Sequence, residues 1–164
     1  MPNIGGPTTE RRKALHSVVQ SIVLYAAHVW ITAVLTKAYR KQLPRADRKS
    51  LLRVACAYRT VSAEAFGVIN GCIRMHVLVK ARERIYERRN EDIATERLKK
   101  EERERSIMVW QDEMRRVAQW TKSLIPNLRR RMDCVHRRLD YFLTQMLIGH
   151  GCFRAYLYRF GNAL

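Results

Sequence analysis

Near the end of the chain the stretch LTQMLIGHGCFRAYLYRFG, from Leu143 to Gly161, sets His150 and Cys152 on either side of Gly151. An imidazole and a thiol at that spacing are two zinc ligands, but a tetrahedral site takes four, or three and a water. No other Cys or His lies close by in the sequence. The remaining histidines and the scattered acids form no Ser-His-Asp, Cys-His or paired-carboxylate spacing, and such groups assemble in space rather than along a chain. Glu64 and Asp140 are carboxylates that acid–base chemistry uses, yet each reads better as a surface or helix-capping residue. The expectation is therefore no catalytic residue, no metal, no cofactor and no small-molecule substrate.

The charge says more. The chain has 164 residues, 47% of them hydrophobic, with a net charge of +17 and a pI of about 10.5. That apolar content supports a modest core and excludes disorder throughout. A field this positive favours polyanionic partners, nucleic acid first and an anionic membrane surface second. Cys56, Cys72, Cys134 and Cys152 show no C-x-x-C pair, as in a reduced intracellular protein. The opening MPNIGGPTTERRK lacks an apolar run before its charges, so it is not read as a secretory signal. Nuclear or cytoplasmic placement is the expectation.

Periodicity predicts an all-α chain, an irregular assembly of about five to seven helices with one long charged helix. Residues 14–36 carry no charge, which raises a membrane span. Leu15, Val18, Val19, Ile22, Ala26, Val29, Trp30 and Ala33 follow an i, i+3, i+4, i+7 ladder, with His16, Gln20, His28, Thr32 and Thr36 opposite. The polar stripe favours a helix whose ladder packs on a protein core over one that faces lipid. Pro44 suits the first turn of a second helix, whose buried side is Leu51, Leu52, Val54, Ala55 and Tyr58. Ser62 reads as an N-cap, Phe66 and Ile69 as core, and Gly71 as the helix end. Met75 to Leu124 contains no proline and reads as one or two helices, with Trp110, Met114 and Val117 facing inward. After the break at Pro126, Leu139, Phe142, Leu143, Met146 and Leu147 mark one face of a last helix, closed by Gly149. A new apolar stripe then begins with Phe153, Tyr156, Leu157 and Phe160.

Charge is unevenly spread. Lys80 to Arg105 holds ten basic and eight acidic residues, a local charge of only +2 and a pattern for internal ion pairs. Met1 to Thr60 holds eleven basic against two acidic, and Arg115 to Leu164 ten against two. The field comes from the two ends.

Four stretches in this order, NIGGP…RR…SIVLYAAHVW, LLRVACAYRTVSAEAFGVINGC, QWTKSLIP and YFLTQMLIGHGCFRAYLYRFGNA, carry a resemblance. They are similar to the region after the polymerase palm in reverse transcriptases of arthropod non-LTR retrotransposons, from Asn3 to Ala163. The resemblance implies a helical thumb and its following linker, which grips a primer-template RNA/DNA duplex through its phosphates without regard to sequence. By analogy the backbone contacts fall to Arg48, Lys49, Arg53 and Arg59, and to Arg129, Arg130, Arg137 and Arg138. Tyr156 and Tyr158 are aromatic candidates for base stacking, with core packing as their other use. The implied division is a thumb-like part over 1–78, a charged helix or helix pair over 79–121, and a C-terminal linker part over 122–164.

The resemblance also marks departures. The palm with its metal-binding carboxylates is expected upstream of Met1 and a Cys/His zinc segment downstream of Leu164, so no polymerase activity is expected of this chain. The family commonly has YGAP where this chain has Tyr25-Ala26-Ala27-His28, Pro at Arg74, Trp near Arg131 and Gly near Arg137. An arginine at a core position costs several kcal/mol unless its head finds solvent, and such replacements resemble a decayed copy. The competing expectations are a basic membrane-associated protein using 14–36, for which the polar stripe counts against a span, and an open reading frame with no selected role. Oligomeric state is left open by the sequence.

Overall fold

The computed structural model describes residues 6–37, 39, 41–91, 93–114, 119–134, 138–149 and 158. Among these the chain is all-α, with nine α-helices and no strand. The helix count exceeds the expected five to seven because the predicted 14–36 helix is broken at Ala26 and two short helices, Gln119–Leu124 and Leu128–Asp133, flank Pro126. Arg137, His150 and Cys152, along with Val117, Phe153, Tyr156, Leu157 and Phe160, lie outside the described residues.

The first helix, α1 (Thr9–Leu24), starts at Thr8, whose hydroxyl accepts from the Arg11 amide. Instead of running to Thr36 the chain turns at Ala26, a left-handed residue with φ +47°, and α2 (Ala27–Leu35) leaves at 76° to α1. Packing of α2 on α5 (Met75–Glu87) buries Ala27, Ile31 and Val79 in a small second core.

α1 shows the opposite face to the one its ladder predicts. Leu15 (65% exposed), Val18 and Ile22 (70%) point outward, as does Val29 on α2, while His16 is 3% exposed. The reason lies at the end of α3 (Gln42–Ala55). A helix leaves its last carbonyls without intrahelical partners, and buried ones must find donors elsewhere. α3 ends on Cys56 at φ +53° with no backbone cap. Arg12 Nε donates to the Val54 carbonyl at 3.1 Å, and the hydroxyl of Thr144, from α9 (Tyr141–Ile148), donates to Ala55 at 2.7 Å. His16 sits 2.9 Å from Ser50 Oγ, and Gln20 reaches the Ile73 carbonyl. Hydrogen-bond demand, rather than apolar area, selects the inward face.

The same demand reorients α9. Thr144, Gln145 and Ile148 are buried, whereas Phe142 and Met146, both assigned to the inward face, are exposed. The helix ends as predicted on Gly149, φ +68°, where a Cβ would meet Trp120 Cδ1 at 2.9 Å. Trp120 and Thr121, on α7 (Gln119–Leu124), donate to the Met146 and Leu147 carbonyls.

α4 (Ala63–Asn70) follows the sequence reading, with Ser62 as N-cap and Gly71 left-handed at its end. Phe66 and Ile69 are fully buried and anchor a core with Leu51, Val77, Trp110, Leu128 and Leu139. Tyr58, expected on the buried side of α3, is exposed instead and its ring meets Tyr141.

The long charged run is a helical hairpin, the second of the two forms its sequence allows: α5, a single 3-10 turn at Arg88–Asn90, then α6 (Thr95–Glu113). The strands of charge pair across it in antiparallel register, His76 with Glu113 at 2.9 Å, Arg84 with the buried Glu102 at 2.7 Å and Arg88 with Glu101 at 2.9 Å. α8 (Leu128–Asp133), capped by Asn127, lies against α6.

Candidate nucleic-acid interface

α3 divides cleanly into two faces. Asp47, Leu51, Val54 and Ala55 are buried, and Arg45, Lys49 and Arg53 are exposed at i, i+4 and i+8. Lys41, the N-cap residue, continues the row one turn earlier and is also exposed. Residues four apart share a helix face with their Cα atoms about 6 Å apart along the axis. None of these four heads has a side-chain partner among the described residues. The result is an uncompensated cationic ridge one helix long. Lys49 and Arg53 were singled out from the sequence; Lys41 and Arg45 were not, although the four-residue spacing was there to see.

The ridge stays fixed because the opposite side of α3 is pinned. Asp47 is 1% exposed and accepts from Arg74 Nε at 2.5 Å, with Arg74 itself 6% exposed. Arg74 is thus buried and paired, rather than solvent-seeking. Arg131 donates through Nε and Nη2 to the Ile69 carbonyl at 3.1 and 2.6 Å and caps α4.

Arg48 belongs to the scaffold rather than to the exposed ridge. Its Nη2 donates to the Arg59 and Val61 carbonyls at 2.5 and 2.7 Å, and its guanidinium lies over the Phe66 ring. These bonds shape the Arg59–Ser62 turn, from which Arg59 projects into solvent without a side-chain partner among the described residues.

The second predicted cluster divides. Arg129 pairs with Glu104 of α6, so its charge is partly neutralised. Arg130 is exposed and has no side-chain partner among the described residues. Arg138, also exposed, lies 3.4 Å from Glu10. A hydrogen bond at its own backbone, aided by the Arg138 charge, holds the Glu10 carboxyl below its usual range. Arg138 and Cys56, which follows the ridge, line one cleft, so the structure brings the end of the first cluster to the end of the second. Tyr158 is exposed.

The α5–α6 hairpin contributes much less field for its charge count. Arg84, Arg88, Lys99 and Arg105 pair with its own carboxylates, and the hydrogen bonds and charge of Glu101 and Glu91 raise the Arg88 pKa. Among the described residues no three His, Cys, Asp or Glu side chains are grouped to hold a metal. No protein-family profile, curated protein or solved structure matches the chain.

Proposed function

We propose that the chain is a thumb-like fragment of a retroelement reverse transcriptase that binds the phosphate backbone of an RNA/DNA duplex without regard to sequence, and has no polymerase activity of its own. The observation that carries this reading is the ridge of Lys41, Arg45, Lys49 and Arg53, exposed and uncompensated on a helix whose other face is locked into the core. Rigid cations at regular spacing contact phosphates and read no bases.

The backbone supports the resemblance at two positions where the residue types depart from it. Ala26 has φ +47°, a conformation glycine adopts freely, and the family has glycine there. Arg74 has φ −64° and ψ 140°, angles proline adopts, and the family has proline there. The test is fluorescence anisotropy with hybrid duplexes of unrelated sequence. Equal affinities that fall steeply with salt support the reading, and affinity that stays flat between low and physiological salt ends it.

One observation favours a second reading. Arg11, Leu15, Val18, Ile22 and Tyr25 form an exposed row along α1, a cationic and apolar surface suited to an anionic bilayer. No single helix among the described residues is long and apolar enough to cross a membrane. Flotation with phosphatidylserine vesicles that is lost in Leu15→Ser/Ile22→Ser supports surface binding; a wild-type chain that stays at the bottom of the gradient removes it.

A further inference from the structure

At the seam between the two basic regions an open cleft of about 450 Å³ is bordered by Pro7, Arg12, Cys56, Arg138, Tyr141 and Phe142. That volume falls within the range of roughly 300–1,000 Å³ typical of clefts for small organic groups. One wall is aromatic. Tyr141 packs edge-on against Phe142 at 5.5 Å and against Tyr58 at 6.0 Å, and the Tyr58 and Tyr141 hydroxyls are hydrogen-bonded to each other. Phe142 is 76% exposed. A ring this exposed adds little to the core, and it rests edge-on against the Tyr141 ring.

The charges around the cleft balance: Arg12 and Arg138 stand against Glu10 and Asp140. The Arg12 head is spent on the Pro7, Val54 and Leu139 carbonyls, and Asp140 caps α9 by accepting from the Leu143 amide at 2.7 Å. Phosphate therefore gains nothing by entering, in contrast to the α3 ridge. A flat, uncharged, hydrogen-bonding ring fits better, because aromatic side chains stack on any base while carboxylates and hydroxyls meet its edge.

We infer that this cleft receives one unpaired nucleobase, stacked on Phe142, from a strand whose phosphates run along the cationic ridge. The inference rests on the nucleic-acid reading above. It gives the chain a preference for duplexes with a single-stranded extension over blunt ones.

The test uses the full chain, a blunt hybrid duplex and the same duplex with an overhang carrying 2-aminopurine. The wild type is expected to quench the 2-aminopurine and to bind the overhang duplex more tightly. Phe142→Ala is expected to abolish the quenching and weaken overhang binding about tenfold while leaving blunt-duplex affinity unchanged, and Phe142→Trp to restore both. Circular dichroism checks that each variant is folded. Quenching and overhang preference that survive in Phe142→Ala overturn the cleft assignment alone, as does a wild type that binds both duplexes equally without quenching. A wild type that binds neither duplex overturns the cleft and the nucleic-acid reading together.

Discussion

The Thr9 hydroxyl donates to the Leu139 carbonyl at 2.8 Å and accepts from the Leu139 amide at 3.1 Å, joining positions 130 residues apart. Arg12 Nη2 adds a second bond to the same carbonyl at 2.7 Å. This clasp holds the start of α1 against the start of α9, and so brings Arg138 to the end of α3. Thr9→Val keeps the shape and removes the hydroxyl's bonds to Leu139 and to Arg12 Nη2. It is expected to lower stability by about 1–3 kcal/mol in urea denaturation, and an unchanged midpoint contradicts the clasp.

The Asp47–Arg74 pair predicts a larger loss. Asp47→Ala leaves a buried guanidinium without its counter-ion, a change that costs about 3–5 kcal/mol. Denaturant titration reads this directly. A loss below about 1 kcal/mol, the scale of exposed pairs, contradicts burial of the pair.

At Ala26 the prediction runs the other way. A non-glycine residue in left-handed geometry is strained by about 1–2 kcal/mol. Ala26→Gly is therefore expected to raise stability by about 1 kcal/mol, after the entropy of the more flexible glycine is subtracted. Calorimetry showing a lower melting temperature contradicts the turn.

His16 predicts a pH effect. Burial pushes its pKa below the ordinary value of 6.5, with the Asp47 charge acting in the opposite direction. The unfolded chain then takes up a proton at a higher pH than the folded chain does. This share of stability is complete above about pH 6.5 and is lost as pH falls through the folded pKa. His16→Gln is expected to flatten that stretch of the curve, as read from denaturation midpoints at successive pH values.

Much of the fold is legible where local chemistry decides. Ser62 and Gly71 bracket α4, Gly149 ends α9, and the mixed signs between Lys80 and Arg105 foretell internal pairing. What the sequence conceals is which helix face turns inward. The ladder of Leu15, Val18 and Ile22 reads as core, yet the buried carbonyl end of α3 calls for Arg12, and His16 and Gln20 share that inward face. Such a demand belongs to a distant helix and leaves no periodic trace. The candidate site divides similarly: Lys49, Arg53 and Arg59 are found by composition and resemblance, whereas the loss of Arg48 to two carbonyls depends on a turn that only the fold creates.

The central claim is that binding charge resides on the α3 ridge and not on the hairpin. It is tested most directly by the slope of log affinity against log salt for a blunt RNA/DNA hybrid. Lys49→Ala/Arg53→Ala is expected to reduce that slope by about 2, close to one unit per phosphate contact. Lys100→Ala/Arg103→Ala, which removes the same charge from exposed positions on α6, is expected to leave the slope nearly unchanged. Equal reductions from the two pairs would show that only total charge matters and would contradict the account.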